Sequence, residues 1–356
     1  MFRLANEPLT PANVNHALAA RIDGLLATTF IPPMSASEKI IAVAIGDPNG
    51  IGPEIAVKAA AEIANGDGPR ALLIGDPKVI RHYAAMVAPS LPLLEGEAPR
   101  EGALTFVAIE NLPPENFEPG RIDAAAGKAM TEYVAVAMRL VHAGKAYAIV
   151  GCPHNETAVH RAGIPFSGYP SLIARLSNVP EDEVFMMFIG GGLRIVHATL
   201  HERLADGLAR LSTDLVVAAA MAANHALQRM GIAKPKIGLF GINPHAGEDG
   251  LFGDDDERIN VPAAARLREL GVDVEDPVGA DLLIGRREFD AFVAMYHDQG
   301  HIPIKLLAGR VASALSIGGG VIFSSTGHGS AFDIAGKGVA DPEATLRAIR
   351  LVAGAV

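Results

Sequence analysis

One cysteine, Cys152, is the only thiol in this 356-residue chain. No disulfide can close within it, and a lone thiol suits a reducing cytoplasm. Basic charge is also scarce. Thirty Lys and Arg stand against 40 Asp and Glu, a formal net charge of −10, and no long basic run occurs. That balance argues against a nucleic-acid partner. No uninterrupted apolar stretch approaches the length that spans a bilayer. The N-terminus lacks a basic region followed by an apolar segment and a small-residue cleavage site, so no signal peptide is expected and the cytoplasm is the expected compartment. Tryptophan is absent and aromatics are sparse, whereas 38 Gly and 24 Pro are present. Such a composition suits an α/β enzyme with many tight strand–helix turns.

The length suits two linked domains better than one modest core. Residues 1–39 read as an N-terminal extension. From Ile40 onward, short β-rich runs ("IIAVAI", "ALLIG", "LTFVAI", "AYAIVG", "VFMMFIG", "LRIVHA", "KIGLFG", "FDAFVAMY") alternate with helical periods such as Gly127–Ala143 and Asp214–Met230. This alternation predicts a largely parallel sheet with helices on both faces and ligands at the carboxyl ends of its strands.

Three stretches carry chemistry. "AIGDPNGIGPEI", Ala44–Ile55, is a strand, a Gly/Pro turn and a helix, without the spacing of the dinucleotide fingerprint. "HGSAFDIAGKGVADP", His328–Pro342, has glycines at 329, 336 and 338 that permit close backbone approach, and Asp333 is placed to accept from ribose hydroxyls. "MYHDQGHIPIK", Met295–Lys305, sets two histidines, an aspartate, a glutamine and a lysine where a buried strand should be ending.

Most of the 12 histidines have an ordinary explanation: His16, His82, His142 and His225 fall on expected helices. His197 and His201 follow one strand, His245 lies in the loop after "KIGLF", and His297 follows "FVAMY". Histidines at three separate strand ends are what a metal site at the carboxyl edge of a parallel sheet requires. Three neutral imidazoles suit Zn²⁺, Co²⁺ or Ni²⁺ and leave a position open for substrate. His154, His160 and Arg161 read equally well as contacts for a substrate carboxylate or as an exposed helix start.

The loop His328–Pro342 resembles the adenosine-binding loop of the isocitrate and isopropylmalate dehydrogenases. Together, "GIGPEI", "AGIPFSG", "INPHAGEDG", "GADLLIG", "AMYHDQG" and "HGSAFDIAGKGVAD" resemble the 4-hydroxythreonine-4-phosphate dehydrogenase family within that superfamily. The resemblance runs from about Ile40 to the C-terminus. It implies two α/β/α domains with a cleft between them. One is a nucleotide-binding domain of residues 40–165 plus 305–356, and the other a metal-binding and dimerisation domain of 166–304. It also implies an NAD-dependent, metal-assisted dehydrogenase acting as a homodimer with its site near the interface. On the family pattern His201, His245 and His297 are the metal ligands, for Zn²⁺ first and Co²⁺, Ni²⁺ or Mg²⁺ otherwise. Lys305 meets the substrate, Asp281 and Asp298 support the site, and His328, Gly329, Asp333 and Gly336 meet the cofactor.

The departures fall on the substrate side. The family's Gly-His-Thr is Gly168-Tyr169-Pro170 here, its substrate-binding asparagine falls near Ala314, and its phosphate-gripping arginine falls near Phe323. An Arg→Phe exchange removes the donor fork a phosphate needs and supplies an apolar face. The chain thus resembles the branch of terephthalate cis-dihydrodiol dehydrogenases, in which Tyr169 and Phe323 would form an apolar wall. The alternative is a dehydrogenase of 4-hydroxythreonine 4-phosphate or a related phosphorylated hydroxy acid.

Overall fold

The computed structural model describes residues 38–309, 312–326 and 328–354. The expected N-terminal extension lies outside them, apart from Glu38 and Lys39. All twelve strands of the described residues join one sheet. In chain order they are β1 (Ile40–Ala44), β2 (Arg70–Gly75), β3 (Leu93–Glu95), β4 (Leu104–Ala108), β5 (Ala148–Gly151) and β6 (Phe185–Gly190). Then come β7 (Leu193–His197), β8 (Lys236–Leu239), β9 (Asp273–Val274), β10 (Ala291–Ala294), β11 (Ser313–Gly318) and β12 (Val321–Ser325). Their spatial order is β3-β4-β2-β1-β5-β12-β11-β6-β7-β10-β8-β9.

The expected parallel pairing holds in both wings, where β4-β2-β1-β5-β12 and β7-β10-β8 run parallel. β1 and β5 are buried along almost their whole length, which is why they read as continuous apolar runs rather than alternating ones. The middle differs from the expectation. β12-β11, β11-β6 and β6-β7 are antiparallel. The β11–β12 hairpin turns at Gly318, Gly319 and Gly320, with φ of 109°, 57° and 75°, values that a side chain would resist. One continuous sheet therefore passes through both halves of the expected division, and the described residues lie within one compact unit.

Helices cover the sheet, and side chains cap two long ones among them. Asp123 accepts from the amides of Ala125 and Ala126 at the start of the helix Ala124–His142, and Ser212 accepts from Leu215 at the start of Thr213–Arg229. For the site, the consequence of this topology is simple. β7, β10 and β8 are parallel neighbours in register (His197 beside Ala294, Val293 beside Leu239). The segments that follow them leave from one edge of the sheet. A second edge is formed by the carboxyl ends of β1, β5 and β12.

Candidate active site

Four histidines meet beyond β7 and β10. His197, at the end of β7, is 2% exposed, and its Nδ1 faces the Met186 carbonyl at 3.3 Å. A carbonyl only accepts, so that nitrogen carries the proton, and Nε2 accepts from His301 Nδ1 at 3.0 Å. Burial is the main reason that the His197 pKa falls to about 3 and that of His301 to about 4, with neighbouring imidazoles adding to it. His301 in turn stacks on His297, ring centroids 3.9 Å apart and 11° from parallel. His297 faces His201 at 5.5 Å between centroids, and burial, followed by His297, lowers the pKa of His201.

The stretch Met295–Lys305 is not an extended strand end. β10 stops at Ala294, and a helix, His297–Ala308, begins at His297 itself. Gln299 ties the start of this helix to both neighbouring strands, accepting from Met295 N at 2.7 Å and donating to Gly241 O at 2.8 Å. Gly300 is required by the histidines: a Cβ there would lie 2.4 Å from His197 Nε2 and 2.9 Å from Ile195 Cγ2. Gly300→Ala gains about 1 kcal/mol of helix propensity. The clash with a buried, hydrogen-bonded ring outweighs it, so a net loss of about 1–3 kcal/mol is expected in chemical denaturation. An unchanged midpoint would show that His197 can move aside.

His201, His297 and Asp298 line a cavity of about 510 Å³, together with Thr199, Glu202 and Tyr296. His297 Nδ1 donates to Asp298 Oδ1 at 2.6 Å. His245 follows β8 on a separate loop, where its Nδ1 donates to Glu248 Oε2 at 2.6 Å. Glu248, with Asp281 adding charge from the side, raises the His245 pKa. Both imidazoles are thus held through Nδ1 by a carboxylate with Nε2 left over, as in histidines that bind metals. The chemistry of the donors fits a divalent ion. Their positions are looser: among the described residues no three His, Cys, Asp or Glu side chains form a closed metal-holding group.

The expected substrate wall is not open. Phe323 and Tyr169 are 0% and 3% exposed and pack on each other, ring centroids 4.7 Å apart. The Tyr169 hydroxyl donates to the Cys152 carbonyl. Gly151 leaves room for both rings, since a Cβ there would sit 2.5 Å from Phe323 Cζ and 2.8 Å from Tyr169 Cζ. These aromatics are part of the core packed over β5 and β12. Ala314 is likewise mid-strand in β11, paired with Phe188 of β6. Lys305 is exposed on the helix His297–Ala308, with Nζ 5.1 Å from the centre of the Phe188 ring and no acidic partner among the described residues.

At the second edge, the loop from His328 to Pro342 is pinned by a residue that the sequence reading passed over. Glu54, fully buried, accepts from Gly338 N at 3.1 Å and Ala340 N at 2.7 Å. Lys58, one helical turn on, pairs with Glu54 at 2.8 Å and donates to the carbonyls of Gly338 and Ala340. Ile51 N donates to Ser330 O at 2.9 Å. His328 and Asp333 are exposed on this loop, and Gly336 turns at φ 78° against Pro119. "GIGPEI" is therefore the seat of the Gly-rich loop. The available signal was a carboxylate in the first turn of the helix, spaced i,i+4 from Lys58.

Asp47, before that helix, is fully buried; Oδ1 accepts from Asn49 N at 2.9 Å and Oδ2 has no partner among the described residues. Burial pushes its pKa up to about 7 against the opposing Asn49 amide. A folded pKa above the unfolded one makes its contribution to stability complete below about pH 4 and lost as pH rises through about 7. Asp47→Asn, with no proton to lose, should flatten the fall in stability between about pH 4 and 7. Denaturant midpoints across that range will test it, and an unaltered slope would acquit the carboxyl.

A family model described as "Pyridoxal phosphate biosynthetic protein PdxA" matches residues 67–352. The chain belongs to this family. It is 47% identical over 320 residues to the 1,2-dihydroxy-3,5-cyclohexadiene-1,4-dicarboxylate dehydrogenase of Comamonas sp, over 90% of this chain and 98% of that relative. It is 41% identical to the D-threonate 4-phosphate dehydrogenase of Cupriavidus necator, over 87% of this chain and 95% of that one. The crystal structure of a terephthalate 1,2-cis-dihydrodiol dehydrogenase from Burkholderia xenovorans LB400 matches with a TM-score of 0.79 at 53% identity, covering 89% of this chain and 98% of that one. This member of the PdxA family is a dehydrogenase, an oxidoreductase of α/β fold. No helix among its described residues is long and apolar enough to cross a membrane.

Proposed function

We propose that this dehydrogenase oxidises terephthalate cis-dihydrodiol with NAD⁺ and releases CO₂ to give protocatechuate. Phe323 carries the reading. Where the family resemblance puts an arginine to grip phosphate, the chain has a fully buried phenylalanine in mid-strand, and no guanidinium fork can be offered from there. The Comamonas and Burkholderia relatives, named for this class of substrate, support it.

The chemistry balances. The carbon bearing the secondary hydroxyl gives a hydride to NAD⁺, and the hydroxyl gives up its proton. The resulting ketone lies β to a carboxylate. The bond to that carboxylate breaks, its electron pair moves through the ring to the ketone oxygen, and a proton there completes a catechol. A divalent ion would supply Lewis acidity toward the oxygen that gathers charge as CO₂ leaves, Zn²⁺ before Co²⁺, Ni²⁺ or Mg²⁺. His201, His245 and His297 would hold it, with Glu248 and Asp298 fixing two of the rings and Asp281 balancing charge. Lys305, with no acidic partner among the described residues, would pair with a substrate carboxylate and move a proton at Nζ. His328, Gly329, Asp333 and Gly336 would hold the NAD⁺, Asp333 accepting from ribose hydroxyls.

NADH formation by the metal-loaded enzyme decides the matter, with the dihydrodiol diacid and D-threonate 4-phosphate offered in parallel. Turnover of the diacid alone is expected. Turnover of the phosphate ester alone would overturn the proposal and favour the phosphorylated hydroxy acid, as in the Cupriavidus relative. We also place the site beside a homodimer interface, because the helix His297–Ala308 leaves Ile302, Leu306 and Leu307 at 53%, 80% and 55% exposure. Sedimentation should give twice the chain mass, and Leu306→Glu should shift it toward the single chain.

A further inference from the structure

We infer that Asp256 is a positioning residue for the proposed metal site: its buried carboxylate anchors the loop from which His245 projects. The inference rests on the reading of His245 as a metal ligand.

That loop is strained. Residues 245 to 250 all have positive φ, and four of them carry side chains: His245 at 53°, Ala246 at 55°, Glu248 at 43° and Asp249 at 55°. Left-handed backbone at a residue other than glycine costs about 1–2 kcal/mol and persists only where surrounding contacts over-determine it. Within the loop, Ala246 N donates to Asn243 O at 3.1 Å and Phe252 N to Gly247 O at 3.0 Å, and the contacts that fix its entry come from one place. Asp256, 1% exposed, accepts from two successive amides at the entry to the loop, Ile242 N on Oδ1 at 2.8 Å and Asn243 N on Oδ2 at 2.9 Å. Asn260 Nδ2 braces the same carboxylate at 2.9 Å and also donates to Phe240 O at 3.1 Å. Asp255 takes the Asn243 side chain at 3.0 Å.

Asp256 and Asn260 begin and end a single π-helical turn, a form concentrated at functional sites. That turn sets both side chains against the end of β8. Gly241 and Gly247 complete the fit. A Cβ at the first would lie 2.9 Å from Ala246 Cα, and at the second 2.9 Å from Gly253 O. None of these side chains is among the proposed ligands of the metal or contacts of the substrate. The carboxylate acts by deciding where the backbone of His245 stands, before any ion arrives.

Asp256→Asn keeps the shape but turns an NH₂ group toward one of the two amides, so the loop should loosen. Co²⁺ titration followed by its visible absorption should show affinity weakened about 10–100-fold. NAD⁺ affinity, served by the separately pinned loop at Glu54, should be unaltered. A folded Asp256→Asn protein that binds Co²⁺ within about twofold of the unaltered enzyme would overturn the inference. Amide exchange in the unaltered, metal-free protein supplies an independent measurement should the variant fail to fold. Slow exchange at Ile242 and Asn243 supports the anchor, and exchange at open-chain rates overturns it. If the unaltered enzyme takes up no Co²⁺, the metal reading fails by itself, and those two amides still decide whether the anchor exists.

Discussion

His245→Asn is expected to lower metal-dependent turnover by about 10³-fold or more, since Lewis-acid assistance is worth several kcal/mol and each 1.36 kcal/mol is a factor of ten. The substitution is chosen for its backbone. Asparagine tolerates the left-handed conformation that His245 adopts at φ 53°, so the loop should persist while the imidazole is lost. The His245 side chain is also 58% exposed, and its removal opens no cavity. A loss of activity can then be read as loss of the ligand rather than of the fold. Three measurements belong together: Co²⁺ affinity, NAD⁺ affinity and the denaturation midpoint. Only the first should move with turnover. Full activity in the variant, with or without metal, would remove His245 from the site and leave His201 and His297 as a pair without a third donor.

Glu54→Ala should strike the other half of the enzyme. It strips the acceptor from the amides of Gly338 and Ala340 and from the ammonium of Lys58 at once. Breaking a buried pair by deleting one partner costs roughly 3–5 kcal/mol. Lys58 keeps 21% of its side chain exposed and is partly rescued by water, so a loss toward the lower end is expected in chemical denaturation. Because the loop carrying His328, Asp333 and Gly336 rests on this carboxylate, NAD⁺ affinity should fall while Co²⁺ uptake stays as it was. Glu54→Gln, which retains one acceptor oxygen, should fall between the two. If NAD⁺ affinity held in Glu54→Ala, the loop would have to be shaped by its glycines alone.

The two variants test opposite edges of one sheet. The histidine edge follows β7, β10 and β8, and the Gly-rich edge follows β1, β5 and β12. In each, an exposed polar loop is fixed by a buried carboxylate that accepts two backbone amides, Asp256 in one and Glu54 in the other.

Much of this was legible in the linear sequence, because strand runs such as "IIAVAI" and "KIGLFG" and the capped helices report local preference and burial directly. The positions of His201, His245 and His297 after separate strands were readable for the same reason. What only the tertiary structure decided depends on contacts between residues far apart in the chain. That β7, β10 and β8 are parallel neighbours is a matter of long-range pairing, as is the antiparallel middle of the sheet. The β11–β12 hairpin carried a glycine turn signal at 318–320, but its insertion between β5 and β6 did not. Phe323 and Tyr169 read as an apolar wall because residue type tells apolar from polar and not inside from cleft. Gly151, 18 and 172 residues away from them, is what makes room for both rings in the core. Local periodicity reports which face of an element is apolar, and it says nothing of what another part of the chain will set against that face.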